Sequence, residues 1–289
     1  PDMVCWISIK RGGRPTTVHG APLTVRSRLR EELFERDRSV ILTGGTLTDG
    51  GGFDHIRSAI GLEGGTERSL GSPFDYRKAA IVLTPSDIPE PGQPGYAIAT
   101  GNAIAEIAIA LKQRVLVLFT SYSAMDTVRS NIRGDLERRG VRLVAQGVDG
   151  PPHRVMKKLA QRPATVALGV SSLWEGVDLE QGSIKALIVT RLPFGVPTEP
   201  VFAARSELYE DPFNDYAIPE AVRRFRQGFG RLIRASRDRG SFIVLDRRIS
   251  SKSYGKLFFE SLPDVSIRAV PLADISGLVS RWDAGTSGP

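Results

Sequence analysis

The chain has 289 residues, 41% hydrophobic and 25% charged, a globular rather than disordered balance that suits one large α/β domain or two small ones. Its 39 Lys+Arg against 32 Asp+Glu give a net charge of +7, which favours a polyanionic partner without demanding one. The single cysteine, Cys5, excludes an internal disulfide and any all-cysteine zinc or iron–sulfur site in these residues, and no apolar run approaches the roughly 18 residues that span a membrane.

A reducing, cytoplasmic setting follows as the expectation, with no membrane partner and with Cys5 as a packing residue. The opening Pro1-Asp2-Met3 lacks signal-peptide character, and a start at proline suggests a piece of a longer protein.

Along the chain, apolar runs alternate with amphipathic, charged segments, the pattern of a parallel sheet with crossover helices. Residues 1–38 are expected as a lead-in segment packing on a domain that runs over 39–289. Strands are expected at 39–42, 114–120, 141–145, 165–170, 186–190 and 241–245. Helices are expected at 102–112, 123–139, 153–161, 219–234 and 252–261, with Asn102 and Ser123 as N-caps and Gly140 as a C-terminal stop. The Pro/Gly-rich stretch 84–95 reads as an exposed connector, and 283–289 as a frayed tail.

In an open parallel sheet, ligands gather at the carboxyl ends of strands, so the loops after the apolar runs are the first places to look. Thr43-Gly44-Gly45-Thr46-Leu47-Thr48 offers hydroxyls and accessible backbone N–H groups, a weak signal alone, for which a plain glycine turn is the first reading. Phe119-Thr120-Ser121-Tyr122-Ser123 opens a helix, and a hydroxyl at a helix N-terminus suits a nucleic-acid phosphate as well as a simple cap. Ser171-Ser172-Leu173-Trp174-Glu175-Gly176-Val177-Asp178 sets two carboxylates around a glycine. They could receive ribose hydroxyls or orient arginines, or form a surface turn. Arg191-Leu192-Pro193-Phe194-Gly195-Val196-Pro197 is stiffened by its prolines and names no chemistry by itself.

A fifth segment, Gln227-Gly228-Phe229-Gly230-Arg231-Leu232-Ile233-Arg234, places an amide and two guanidinium groups at i, i+4 and i+7. On a continuous helix they share one face. Guanidinium matches phosphate oxygens in a fork and can stabilise charge in phosphoryl transfer, whereas the plain alternative is a solvated basic helix. Two glycines cost roughly 1 kcal/mol each in a helix interior, so close approach of a ligand or another backbone is needed to explain them.

Taken together and in this order, the five segments resemble motifs III to VI of DinG/XPD-type superfamily 2 DNA helicases. The resemblance runs from about Cys5 to about Ser261, with motifs V and VI the most specific. One departure is Gly44, which stands where the family commonly has the serine of Ser-Ala-Thr-Leu or Ser-Gly-Thr-Leu. Neither Gly-x-x-x-x-Gly-Lys-Ser/Thr nor Asp-Glu-x-His occurs in the sequence. In the resembled family these belong to a first motor lobe, together with the four-cysteine iron–sulfur cluster.

The resemblance therefore implies an α/β, RecA-like (P-loop NTPase-type) parallel sheet with helices on both faces. It would be the second helicase lobe, lacking its own Walker A. By carry-over, Gln227, Arg231 and Arg234 face the nucleotide, with the two arginines as finger candidates. Glu175, Gly176 and Asp178 lie beside ribose or those arginines. Thr46, Thr48, Ser121 and Tyr122 lie along single-stranded DNA. ATP and Mg2+ would be shared with the first lobe, in cis or in trans, and the isolated chain is expected to be inactive. Two other classes stay open: a catalytically silent nucleic-acid-binding or protein-interaction module, and a nucleotide-dependent transferase, for which no nucleophile or metal cluster is evident.

Overall fold

Runs such as Val115-Leu116-Val117-Leu118 are apolar at every position, as suits strands covered on both faces. The computed structural model describes residues 3–10, 14–45, 47–48, 52–170, 173 and 182–286. Its strands are β1 (Met3–Lys10), β2 (Arg14–Pro22), β3 (Ala80–Pro85), β4 (Arg114–Leu118), β5 (Arg142–Ala145), β6 (Thr165–Gly169), β7 (Ala186–Val189), β8 (Gly240–Val244) and β9 (Ser266–Val270). Contacts divide the chain into two units, Pro1–Leu70 with Phe194–Arg223, and Gly71–Pro193 with Arg224–Pro289.

The second unit holds a seven-stranded sheet in the order β5-β6-β4-β7-β8-β3-β9, with every pair parallel. The chain leaves β4 for β5 and β6 on one side and returns through β7 on the other, so the strand order reverses between β4 and β7. β3, β6, β7 and β8 are buried at every position. Their side chains join those of helices Tyr96–Leu111, Tyr122–Arg138 and Ile275–Asp283 in the core. Phe225, Phe242 and Phe258 add an aromatic cluster, with Phe225 edge-on to the other two at 5.2 and 5.3 Å.

Five of the six expected strands form. The exception is 39–42, which makes no ladder: Ile41 is 84% exposed, and an apolar run without a neighbouring strand has nothing to bond. β3 and β9 were not expected, nor was the antiparallel pair β1–β2 within 1–38, whose register runs from Met3↔Pro22 to Lys10↔Arg14.

The stretch 84–95 is not simply an exposed connector, since Thr84 is buried and Ile88 fully so. The first core helix starts at Tyr96 rather than Asn102, because Tyr96, Thr100 and Gly101 also face the core. The next helix is capped by Ser121, not Ser123: its side chain accepts from the Ala124 N–H at 3.3 Å. Gly140, at φ 72°, ends that helix as expected. The helix expected at 252–261 is two, Arg248–Ser251 and Gly255–Glu260. They break where a side chain on Gly255 would overlap the Ile249 carbonyl. The 283–289 tail is bonded as far as Thr286, whose N–H reaches Arg281 O at 3.0 Å. Residues 287–289 lie outside the described residues.

In the first unit, Trp6 stacks on His19 at 4.9 Å, and Ser8 Oγ bonds His19 Nε2 at 2.7 Å. Arg205 donates to Leu23 O at 3.1 Å. Tyr216 stacks on Tyr209 and leans on Phe202. Cys5, expected as a packing residue, is exposed, because odd positions of β1 point to its open face.

Candidate functional site

Parallel strands bring the carboxyl ends of β6, β4, β7 and β8 side by side, with Gly169, Leu118, Val189 and Val244 in register across adjacent pairs. Each ladder ends where polar residues begin. Ser121 and Tyr122 follow β4 and open a helix, so the backbone N–H groups of its first turn face outward. Tyr122 is 50% exposed, and its hydroxyl accepts from Gln146 Nε2 at 2.7 Å. Gln146 follows β5 and is itself buried; its Oε1 accepts from Val170 N, just past β6, at 3.0 Å.

After β7, the Tyr96 hydroxyl donates to Thr190 O, and the Arg191 guanidinium lies over the Tyr96 ring at 5.2 Å. Asp246, following β8, is fully buried. It accepts from Leu192 N at 2.8 Å and holds Arg248 through its backbone N–H, Nε and Nη2, the last at 2.7 Å. Burial, reinforced by the Asp246 carboxylate, pushes the Tyr96 phenol up to about 12. The hydrogen bond to Asp246 raises Arg248 further above its ordinary range.

The arginine segment lies elsewhere. The helix expected over 219–234 spans Ile218–Phe229, so Gln227, Arg231 and Arg234 do not share one helical face. Beyond Phe229 the N–H groups of Arg231 and Leu232 bond back three residues, to Gly228 O and Phe229 O at 3.1 and 2.9 Å, which tightens the last turn and ends the helix. Asp238 Oδ2 then accepts from both Arg234 N and Ala235 N, at 3.0 and 2.9 Å.

Leu232 and Ile233 are buried, and Leu232 packs on Gly240, the first residue of β8. The turn with Arg231, which is 9% exposed, and Arg234 thus leads into the amino end of β8. Ser121 and Tyr122 follow the carboxyl end of β4, at the opposite edge of the sheet. Thr48 lies half-buried in the first unit. Thr46, Glu175, Gly176 and Asp178 lie outside the described residues.

Gln146, Asp246 and Asp238 escaped the sequence reading. The first two carried a usable signal, a polar residue directly after the apolar runs ending at Ala145 and Leu245. Asp238 had none beyond its place in a polar turn.

A family model described as Helicase C-terminal domain matches residues 104–265. The 3'-5' exonuclease DinG of Bacillus subtilis (strain 168) is 34% identical over 291 residues, taking in 96% of this chain and 31% of that protein. The ATP-dependent DNA helicase YoaA of Haemophilus influenzae is 35% identical over 258 residues, 88% of this chain and 40% of that protein. The chain spans well under half the length of these curated relatives. A solved structure named XPD_Helicase superposes with a TM-score of 0.63 at 18% identity, over 87% of this chain and 46% of that one, a likeness of fold. Because the family model takes in more than half of its residues, the chain belongs to the helicase C-terminal domain family, as the RecA-like C-terminal region of a DinG/XPD-type superfamily 2 helicase.

Proposed function

We propose that the chain is the second motor lobe of an ATP-dependent DNA helicase. It supplies the arginine half of an ATP site at one edge of its sheet and part of a single-strand track at the other. The observation that carries this reading is the placement of the two motifs. Arg231 and Arg234 sit on a short turn braced by Asp238 and by buried Leu232 and Ile233, while Ser121 and Tyr122 stand at the far ends of the strands. A relative named an ATP-dependent DNA helicase and the family match over 104–265 support it.

Arg231 and Arg234 reach the γ-phosphate when a first lobe closes on the nucleotide, and their planar forks neutralise charge that develops in transfer. Gln227, on the last turn of the helix before them, would meet the same nucleotide. Its buried Oε1 has no hydrogen-bond partner among the described residues, an acceptor that a donor on the nucleotide or its attacking water fits. Glu175 and Asp178 hold ribose or the arginines. Ser121 and Tyr122 line the strand, and Thr46 and Thr48 stand as separate candidates for contact with DNA. Mg2+ would be held with the first lobe, and no step here runs through it. An iron–sulfur cluster, where the whole protein has one, belongs there too.

The half-site reading predicts that this chain alone binds Mg-ATP weakly and shows no DNA-stimulated turnover, whereas the chain joined to its first lobe does both. Titration calorimetry and a steady-state ATPase assay decide. Micromolar Mg-ATP affinity or DNA-stimulated turnover by the chain alone overturns the half-site. A joined protein that binds DNA yet never turns over points instead to a silent binding module.

A further inference from the structure

We infer that Gln146 is a positioning residue that makes the Tyr122 hydroxyl a hydrogen-bond donor toward the phosphodiester backbone of a single strand. The inference rests on the proposed contact between Tyr122 and DNA, and assigns a role to a residue that no motif in the sequence named.

The backbone fixes the polarity of the chain of bonds. Val170 N can only donate, so the amide atom it meets at 3.0 Å must be Gln146 Oε1, and the opposite atom, 2.7 Å from the Tyr122 hydroxyl, must be the Nε2 donor. Gln146 cannot flip without setting two donors against each other at Val170. It is 4% exposed, and its own N–H bonds Leu168 O at 2.9 Å, so both ends of the residue are held by the β5–β6 edge.

The Tyr122 oxygen therefore accepts a hydrogen bond from Gln146 Nε2, and its own proton is directed away from the amide. No other hydrogen bond of the Tyr122 hydroxyl is found among the described residues, and the residue is half exposed. A donor presented on an exposed aromatic ring beside the N-terminus of the Tyr122–Arg138 helix selects an acceptor that carries negative charge, as a phosphodiester oxygen does, while the ring face accepts a base. A tyrosine free to rotate would offer either role and would lose rotamer freedom on binding. Held by Gln146, it offers one.

The test is a double-mutant cycle on nucleotide-free, full-length protein, read by anisotropy with a labelled oligothymidylate, with melting curves as the folding control. Tyr122→Phe removes the donor and should weaken binding about tenfold, the scale of a hydrogen bond to a charged group. Gln146→Glu keeps an acceptor for Val170 but turns the Tyr122 proton inward, and should weaken binding by a similar factor. In the Tyr122→Phe background Gln146→Glu should add little. Gln146→Leu should follow the same pattern.

Losses that multiply in the double variant would mean that the carboxylate acts by charge alone, and would overturn the inference. Full affinity in folded Gln146→Glu and Gln146→Leu would do so too. If neither Tyr122→Phe nor Tyr122→Ala changes affinity, it is the Tyr122–DNA contact itself that fails.

Discussion

The two edges of the seven-stranded sheet are built differently. At the carboxyl edge, polar groups from five strand ends bond one another: Gln146 ties Tyr122 to Val170, Tyr96 bonds Thr190, and Asp246 gathers Leu192 and Arg248. Such a network holds side chains in one arrangement whether or not a ligand is present. At the amino edge the two arginines ride on a short turn fixed by one carboxylate and two buried aliphatic residues. One edge is a preset platform, suited to gripping a repeating backbone. The other is a compact turn that carries Arg231 buried and Arg234 half-buried, and in the proposed reading its site is completed from outside. A rigid sheet between them lets each edge be altered without rebuilding the other.

The largest stability effect should come from undermining the turn that carries the arginines. Phe225 is fully buried one turn before Phe229 and meets Phe242 and Phe258 edge-on, so Phe225→Ala should cost about 3–5 kcal/mol, measured by denaturant unfolding. Turnover of the two-lobe protein should fall with it. Unchanged stability would mean that the helix leading to the arginines is not anchored as described.

At the platform, Tyr96→Phe deletes a hydrogen bond to a buried carbonyl and should cost about 1 kcal/mol at neutral pH. The sign of its pH dependence follows from the raised phenol. The fold favours the protonated form, so Tyr96 contributes in full below its unfolded value of 10.0, and the contribution is lost as pH rises toward about 12. The variant should lack that alkaline loss. A pH–stability series that runs parallel for both proteins would contradict this account of Tyr96.

Ile41 belongs to neither edge and gives the baseline. Although apolar, it is 84% exposed, and Ile41→Ser should change unfolding free energy by about 0.5 kcal/mol or less. A larger loss would show that 39–42 is packed in solution.

These regions also mark what could be read from sequence. The central strands were legible because a strand buried on both faces must be apolar throughout, and Val115 to Leu118 or Ala186 to Val189 admit little else. The run at 39–42 has the same composition and forms no strand, since a ladder needs a neighbour and composition does not say whether one is there. β9 was missed because its alternating burial is the pattern of a half-covered edge, in Ser266-Ile267-Arg268-Ala269-Val270. The arginine motif was found, but its geometry was misread. Periodicity at i, i+4 and i+7 places side chains on one face only while the helix lasts, and Asp238, remote from the pattern, takes the N–H groups that would have continued it. Gln146 carried a signal in its place after Ala145, but not its role, which comes from two partners on other strand ends.

The central claim is that Arg234 is a finger for the γ-phosphate and takes no part in gripping DNA. The most direct measurement compares steady-state, DNA-stimulated ATPase and nucleotide-free DNA affinity for Arg234→Ala and Arg234→Lys in the two-lobe protein, with melting curves to confirm folding. Arg234→Ala should lower turnover by roughly 10³-fold or more, the scale of other arginine fingers, and leave DNA affinity nearly unchanged. Arg234→Lys should not restore it, since one ammonium cannot reproduce the planar fork. Near-normal turnover in folded Arg234→Ala, or a loss of DNA affinity that matches the loss of turnover, would contradict the account.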